Sequence, residues 1–83
     1  MAYKLLIVED EKEKATGIAY LTGKYNPECR PVLLAHDGRE GYEKATAEQP
    51  DIIVTDIRMP EMDGLEMIRE LKKAGCSACL LYT

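Results

Sequence analysis

Histidine occurs once in this chain of 83 residues and cysteine three times. A zinc site on Cys76-Ser77-Ala78-Cys79 would need two further ligands, and His36 is the single histidine available. A redox C-x-x-C places its first thiol at a helix N-terminus, whereas this one follows a helical segment and enters an apolar run. Three cysteines, Cys29, Cys76 and Cys79, are an odd number without a secretion signal, which fits reduced thiols rather than a disulfide framework. Long apolar stretches are also missing. The first, LLIV at residues 5–8, is too short for a signal-peptide core and runs into Glu9-Asp10-Glu11, so a cytosolic address is expected. Excess positive charge is absent too: the net charge of −4 argues against a broad nucleic-acid footprint in this segment. No linker, low-complexity tract or long-period repeat interrupts the chain.

What is present belongs to an ordinary globular domain, with 46% hydrophobic and 31% charged residues. At this length the chain makes at most one domain, residues 1–83, burying only about 60–65% of its unfolded surface. Four apolar runs, LLIV (5–8), VLLA (32–35), DIIVT (51–55) and CLLYT (79–83), alternate with polar stretches long enough for a helix each. Continuous hydrophobicity means burial on both faces, which points to an α/β fold with a parallel sheet covered by helices. The expected order is β-α-β-α-β-α-β.

Helix starts are marked by three D-x-x-E strings, at Asp10-Glu13, Asp37-Glu40 and Asp63-Glu66, close to the capping-box pattern. Behind them Ala15, Ile18, Ala19 and Tyr25, then Tyr42 and Ala45, then Leu65, Ile68 and Leu71 form one apolar stripe per segment. Pro50 and Gly75 are the expected stops.

Capping accounts for Asp37 and Asp63, and leaves Asp10 open between a cap and a functional role. It does not account for Glu9 or Asp56. Asp56 closes a β-branched run and is followed by Ile-Arg-Met-Pro, while the next helix already has its cap in Asp63. In open α/β sheets the carboxyl ends of the strands share one edge, where sites form. If the first and third strands are neighbours, Glu9, Asp10 and Asp56 meet there. Three carboxylates about 4 Å apart repel by roughly 1 kcal/mol per pair in water, and roughly 4 at an effective dielectric of 20. Arg58, two residues beyond Asp56, heads into the loop. A hard divalent cation would offset the repulsion, and oxygen-only ligands suit Mg²⁺ or Mn²⁺ over zinc. The alternative is that the three acids are dispersed and solvated.

The strings LLIVEDE, DIIVTDIRMPEMDGLEMI and the terminal LLYT resemble the CheY-like receiver domain of bacterial two-component response regulators, over the whole chain. The resemblance implies a flavodoxin-like doubly wound sheet of order 2-1-3-4. It places the acidic pair on Glu9 and Asp10, the phosphoacceptor on Asp56, and the switch hydroxyl on Thr83. It also implies that the backbone carbonyl of Arg58 joins Glu9, Asp10 and Asp56 on the metal, Mg²⁺ or Mn²⁺. The partner would be a sensor histidine kinase, whose phosphohistidine gives its phosphoryl group to Asp56, and residues 11–24 would be its docking helix. The chain would be a phosphoacceptor rather than an enzyme with a separate substrate.

In one respect the sequence departs from the pattern. Complete receivers continue through a fourth helix, a fifth strand ending in a phosphate-binding lysine, and a fifth helix, whereas this sequence stops at Thr83. A receiver cut after its fourth strand is the expectation, with self-association through the exposed fourth strand and a DNA-binding output domain only in a longer parent protein. Without the lysine, a phosphorylation-independent interaction module is the main alternative. An aspartate-nucleophile phosphatase is a further one, but its D-x-D pattern would need an acid at Arg58.

Overall fold

Tyr3–Val8 begins a sheet whose strands follow the β-branched and leucine-rich runs of the sequence. The computed structural model describes residues 2–56 and 62–82. Its elements are β1 (Tyr3–Val8), α1 (Lys12–Tyr25), β2 (Cys29–Ala35), α2 (Gly38–Glu48), β3 (Ile52–Thr55), α3 (Gly64–Lys73) and β4 (Cys79–Tyr82). The strands lie in the order β2-β1-β3-β4. Each neighbouring pair is parallel, with Leu6 opposite both Leu33 and Ile53, and Ile53 opposite Leu80. This is the doubly wound α/β arrangement expected from runs that are apolar on both faces.

Alternation along β1 divides the buried residues between two faces. Leu6 and Val8 join Ala35, Ala45, Ile53, Met67 and Leu71 in one cluster, so α2 and α3 cover that side of the sheet. Leu5 and Ile7 are buried outside that cluster, as is Ala15 of α1. α1 contributes no other fully buried residue, and Ile18 and Ala19 are half-buried.

Two expected stripes are displaced. Tyr25 is 68% exposed and Leu65 46% exposed. On α3 the buried positions are Gly64, Met67 and Leu71, a spacing of three and four, and Leu65 stands one residue round the helix from that line. On α1, Tyr25 lies in the last turn, beyond the half-buried Ile18 and Ala19.

The helix ends follow local chemistry. Asp37 accepts from the amide of Glu40 at 2.8 Å, and Asp63 from that of Glu66 at 2.9 Å, as caps do. α3 closes with Gly75 at φ +81, where the amide of Gly75 donates to the Lys72 carbonyl and that of Cys76 to the Leu71 carbonyl. These two bonds are the Schellman pattern, which needs a left-handed residue at Gly75. α2 ends instead on Gln49, at φ 50, just before Pro50. Gly38, the first residue of α2, lies so close to the chain that a Cβ there would stand 1.7 Å from the Met62 carbonyl oxygen. The β2–α2 turn is thereby pressed against the residue that precedes the Asp63 cap.

Candidate functional site

Two hydrogen bonds carry the ladders one step past the strand ends. The amide of Glu9 donates to the Ala35 carbonyl at 2.9 Å, and the amide of Asp56 to the Val8 carbonyl at 3.2 Å. The backbones of Glu9 and Asp56 are therefore fixed by the sheet, on adjacent strands at its carboxyl edge. Asp10 follows directly and is exposed, whereas Asp56 is half-buried and Glu9 is 4% exposed. One carboxylate oxygen from each of the three lies within 4.8 Å of the others. The dispersed, solvated arrangement does not occur.

Burial of Glu9 makes its partners important, since an unpaired buried carboxylate is costly. Its Oε2 accepts from the Glu11 amide at 3.1 Å. Its Oε1 stands 3.5 Å from the Lys14 ammonium, a cation that the first turn of α1 supplies. Beneath the site, Thr55 is buried and its Oγ1 donates to the Asp56 carbonyl at 2.9 Å. Neither Lys14 nor Thr55 stood out in the sequence. A hydroxyl at the end of a β-branched strand was the available signal for the second.

Asp10 is not a helix cap. α1 starts at Lys12, its N-cap is Glu11, and no side chain caps it. The Asp10-Glu13 string is therefore one residue out of register with the helix it was expected to start, and Asp10 belongs to the acidic cluster. Arg58 and Thr83 lie outside the described residues, so the expected carbonyl ligand and switch hydroxyl do too.

In the first turn of α2, Glu40 has a depressed carboxyl pKa. The main cause is the His36 amide, which donates to it at 2.7 Å; burial opposes the shift, and the Lys44 ammonium at 3.4 Å adds to it. Lys44 also donates to the Leu34 carbonyl. The other end of the sheet holds a depression of about 460 Å³ lined by Thr46, Gln49, Pro50, Asp51, Cys76 and Ser77 among others. Its lining lies at the amino ends of β3 and β4, away from the clustered acids.

A donor set of carboxylates alone, converging at one edge, matches a hard divalent cation. Among the described residues no helix is long and apolar enough to cross a membrane.

Comparison with known proteins bears on the family and the fold. Residues 5–83 match the family model described as response regulator receiver domain. The chain is similar to the uncharacterized transcriptional regulatory protein YesN of Bacillus subtilis, 38% identical over 75 residues, covering 90% of this chain and 20% of that protein. It is also similar to the alkaline phosphatase synthesis transcriptional regulatory protein PhoP of the same organism, 36% identical over 73 residues, covering 88% of this chain and 29% of PhoP. The crystal structure of a response regulator receiver domain protein from Clostridium thermocellum superposes with a TM-score of 0.86 at 27% identity, covering 99% of this chain and 64% of that one. The chain thus spans less than a third of these two curated relatives.

Proposed function

The chain belongs to the response regulator receiver domain family, and from that premise we propose that Asp56 accepts a phosphoryl group from the phosphohistidine of a sensor histidine kinase. The observation that carries the reading is the convergence of Glu9, Asp10 and Asp56, with one oxygen of each within 4.8 Å of the others. In this reading a carboxylate oxygen of Asp56 attacks phosphorus in line. The P–N bond breaks, the imidazole leaves with its electron pair, and an acyl phosphate forms.

Glu9, Asp10, Asp56 and the backbone carbonyl of Arg58 would hold Mg²⁺ or Mn²⁺. Such an ion, when bound, supplies positive charge against the transferring phosphoryl oxygens. The chain's own residues do the positioning. Glu9 is held by the Glu11 amide and by Lys14. The Asp56 backbone is tied to β1 through its amide and receives the Thr55 hydroxyl at its carbonyl. Thr83 would donate its hydroxyl to a phosphoryl oxygen and move inward as it does so, giving the conformational signal. Both curated relatives described above are named as transcriptional regulatory proteins, which supports an output on transcription carried by a part of the parent protein outside this segment.

Incubation with phosphoramidate and Mg²⁺, borohydride trapping and mass mapping test the reading. Modification of Asp56 and no other acid is expected. Label at Asp10 or Asp63 would overturn it.

A further inference from the structure

Lys14 stands in the first turn of α1 and brings its ammonium 3.5 Å from Oε1 of Glu9. The two side chains differ sharply in exposure, 53% for Lys14 and 5% for Glu9. A carboxylate that buried needs a counter-charge, because water cannot supply one. A lysine that exposed can leave at little cost, since its head group is already largely hydrated. The two oxygens of Glu9 are also held differently. Oε2 carries a backbone amide, which cannot withdraw without disturbing the start of α1, whereas Oε1 carries a flexible ammonium. Oε1 is therefore the oxygen able to change partner.

We propose that Lys14 is a displaceable counter-ion of the acidic site: it holds Glu9 when no divalent cation is bound and yields Oε1 when Mg²⁺ or Mn²⁺ enters. The inference rests on the metal-binding part of the proposed function. Its consequence is a lower affinity for the cation. Binding must break the Lys14–Glu9 pair, and whatever remains of the lysine's charge nearby repels the dication. A unit charge about 6 Å from a dication in water corresponds to roughly a tenfold change in affinity. Lys14 would thus set the cation concentration at which the site loads, as a positioning residue acting through Glu9.

Titration with MnCl₂, with free Mn²⁺ counted by electron paramagnetic resonance, separates this from a structural role. Wild type is compared with Lys14→Gln, with Lys14→Arg, and with Lys24→Gln, which removes a charge from the last turn of the same helix. Lys14→Gln is expected to bind Mn²⁺ on the order of tenfold more tightly while melting at a lower temperature without metal. Lys14→Arg and Lys24→Gln are expected to bind as wild type does. A residue that merely braced the fold would not give tighter binding together with lower stability. Equal or weaker binding by Lys14→Gln beside a binding wild type overturns the role of Lys14 alone. No saturable binding by any of the four proteins overturns the metal reading and this inference with it. A measurement on the wild type needs no variant to fold: on titration with MgCl₂ the ε-methylene resonances of Lys14 should move to the values of a solvated lysine. Saturation of the site with those resonances unmoved would overturn the displacement.

Discussion

The amide of Asp56 donates to the carbonyl oxygen of Val8 across 3.2 Å, one step beyond the last paired residues of β1 and β3. Val8 precedes Glu9, so this bond carries the register of the β1–β3 ladder on to the two strand ends that hold the acids. A slip of one residue would turn Ile53 out of the core and carry Asp56 away from Glu9. The core packing of Leu6, Val8 and Ile53 thus holds the site together at a distance.

A cation that binds only this folded arrangement stabilises it by mass action. Millimolar Mg²⁺ is expected to raise the melting temperature, and the double variant Glu9→Gln, Asp56→Asn is expected to lose the shift. Thermal unfolding with and without MgCl₂ is the measurement. An equal shift in the double variant would assign the binding elsewhere.

Asp10 gives the same site a signature of opposite sign. It is exposed and belongs to the cluster, so Asp10→Asn removes like-charge repulsion of about 1 kcal/mol per pair in a water-like dielectric. In the presence of a chelator the variant should be more stable than wild type by about 1 kcal/mol or less. With Mg²⁺ the order should reverse. Urea unfolding under both conditions reads the crossover, and a variant less stable in chelator would mean that Asp10 makes contacts beyond repulsion.

How much of this could be read from the sequence follows from the range of each interaction. The β-branched runs gave four strands because burial on both faces leaves an unbroken apolar string. The caps at Asp37 and Asp63 were legible because a cap and its amide are three residues apart. Glu9 and Asp56 were legible as acids with no local structural use. Exposure of Tyr25 and Leu65 was not legible, since which face of an amphipathic segment is buried depends on the neighbours it meets. Lys14 was missed because the chain changes from strand to helix between it and Glu9, and a flexible side chain can point several ways. The close approach of Gly38 to Met62 joins segments more than twenty residues apart, and nothing in either segment announces it.

Glu40 supplies the pH dependence. Its carboxyl pKa is lowered in the folded state, chiefly by the His36 amide. A depressed acid contributes stability that is present above its unfolded pKa and is lost as the pH falls through the folded one. Its side chain is 35% exposed, so solvent screens the ion pair with Lys44, and the contribution should be about 1 kcal/mol or less. Glu40→Gln is expected to lower stability at neutral pH and to match wild type in acid, once Glu40 is protonated. Urea midpoints from neutral to acid pH check this, and a difference that persists at the acid end would show that the amide bond survives protonation.

Three glycines should respond to alanine in different ways, because each occupies a different kind of place. At Gly38 the new Cβ would meet the Met62 carbonyl oxygen at 1.7 Å, and a backbone atom cannot swing aside. The chain before α3 must move, so Gly38→Ala should cost about 3 kcal/mol and disturb the Asp63 cap. At Gly75 there is open space but φ is +81, so the cost is the left-handed conformation alone, about 1–2 kcal/mol. Gly17 lies inside α1, and a Cβ added there would meet no heavy atom within 4 Å beyond its own helix. Alanine at that position should stabilise by up to about 1 kcal/mol, since it narrows the unfolded ensemble and favours the helix. Chemical unfolding of the three variants orders them Gly17→Ala above wild type, then Gly75→Ala, then Gly38→Ala. A Gly38→Ala protein as stable as wild type would mean that α2 and the chain before α3 can separate without cost, and that the packing there is looser than the close approach of Gly38 to Met62 requires.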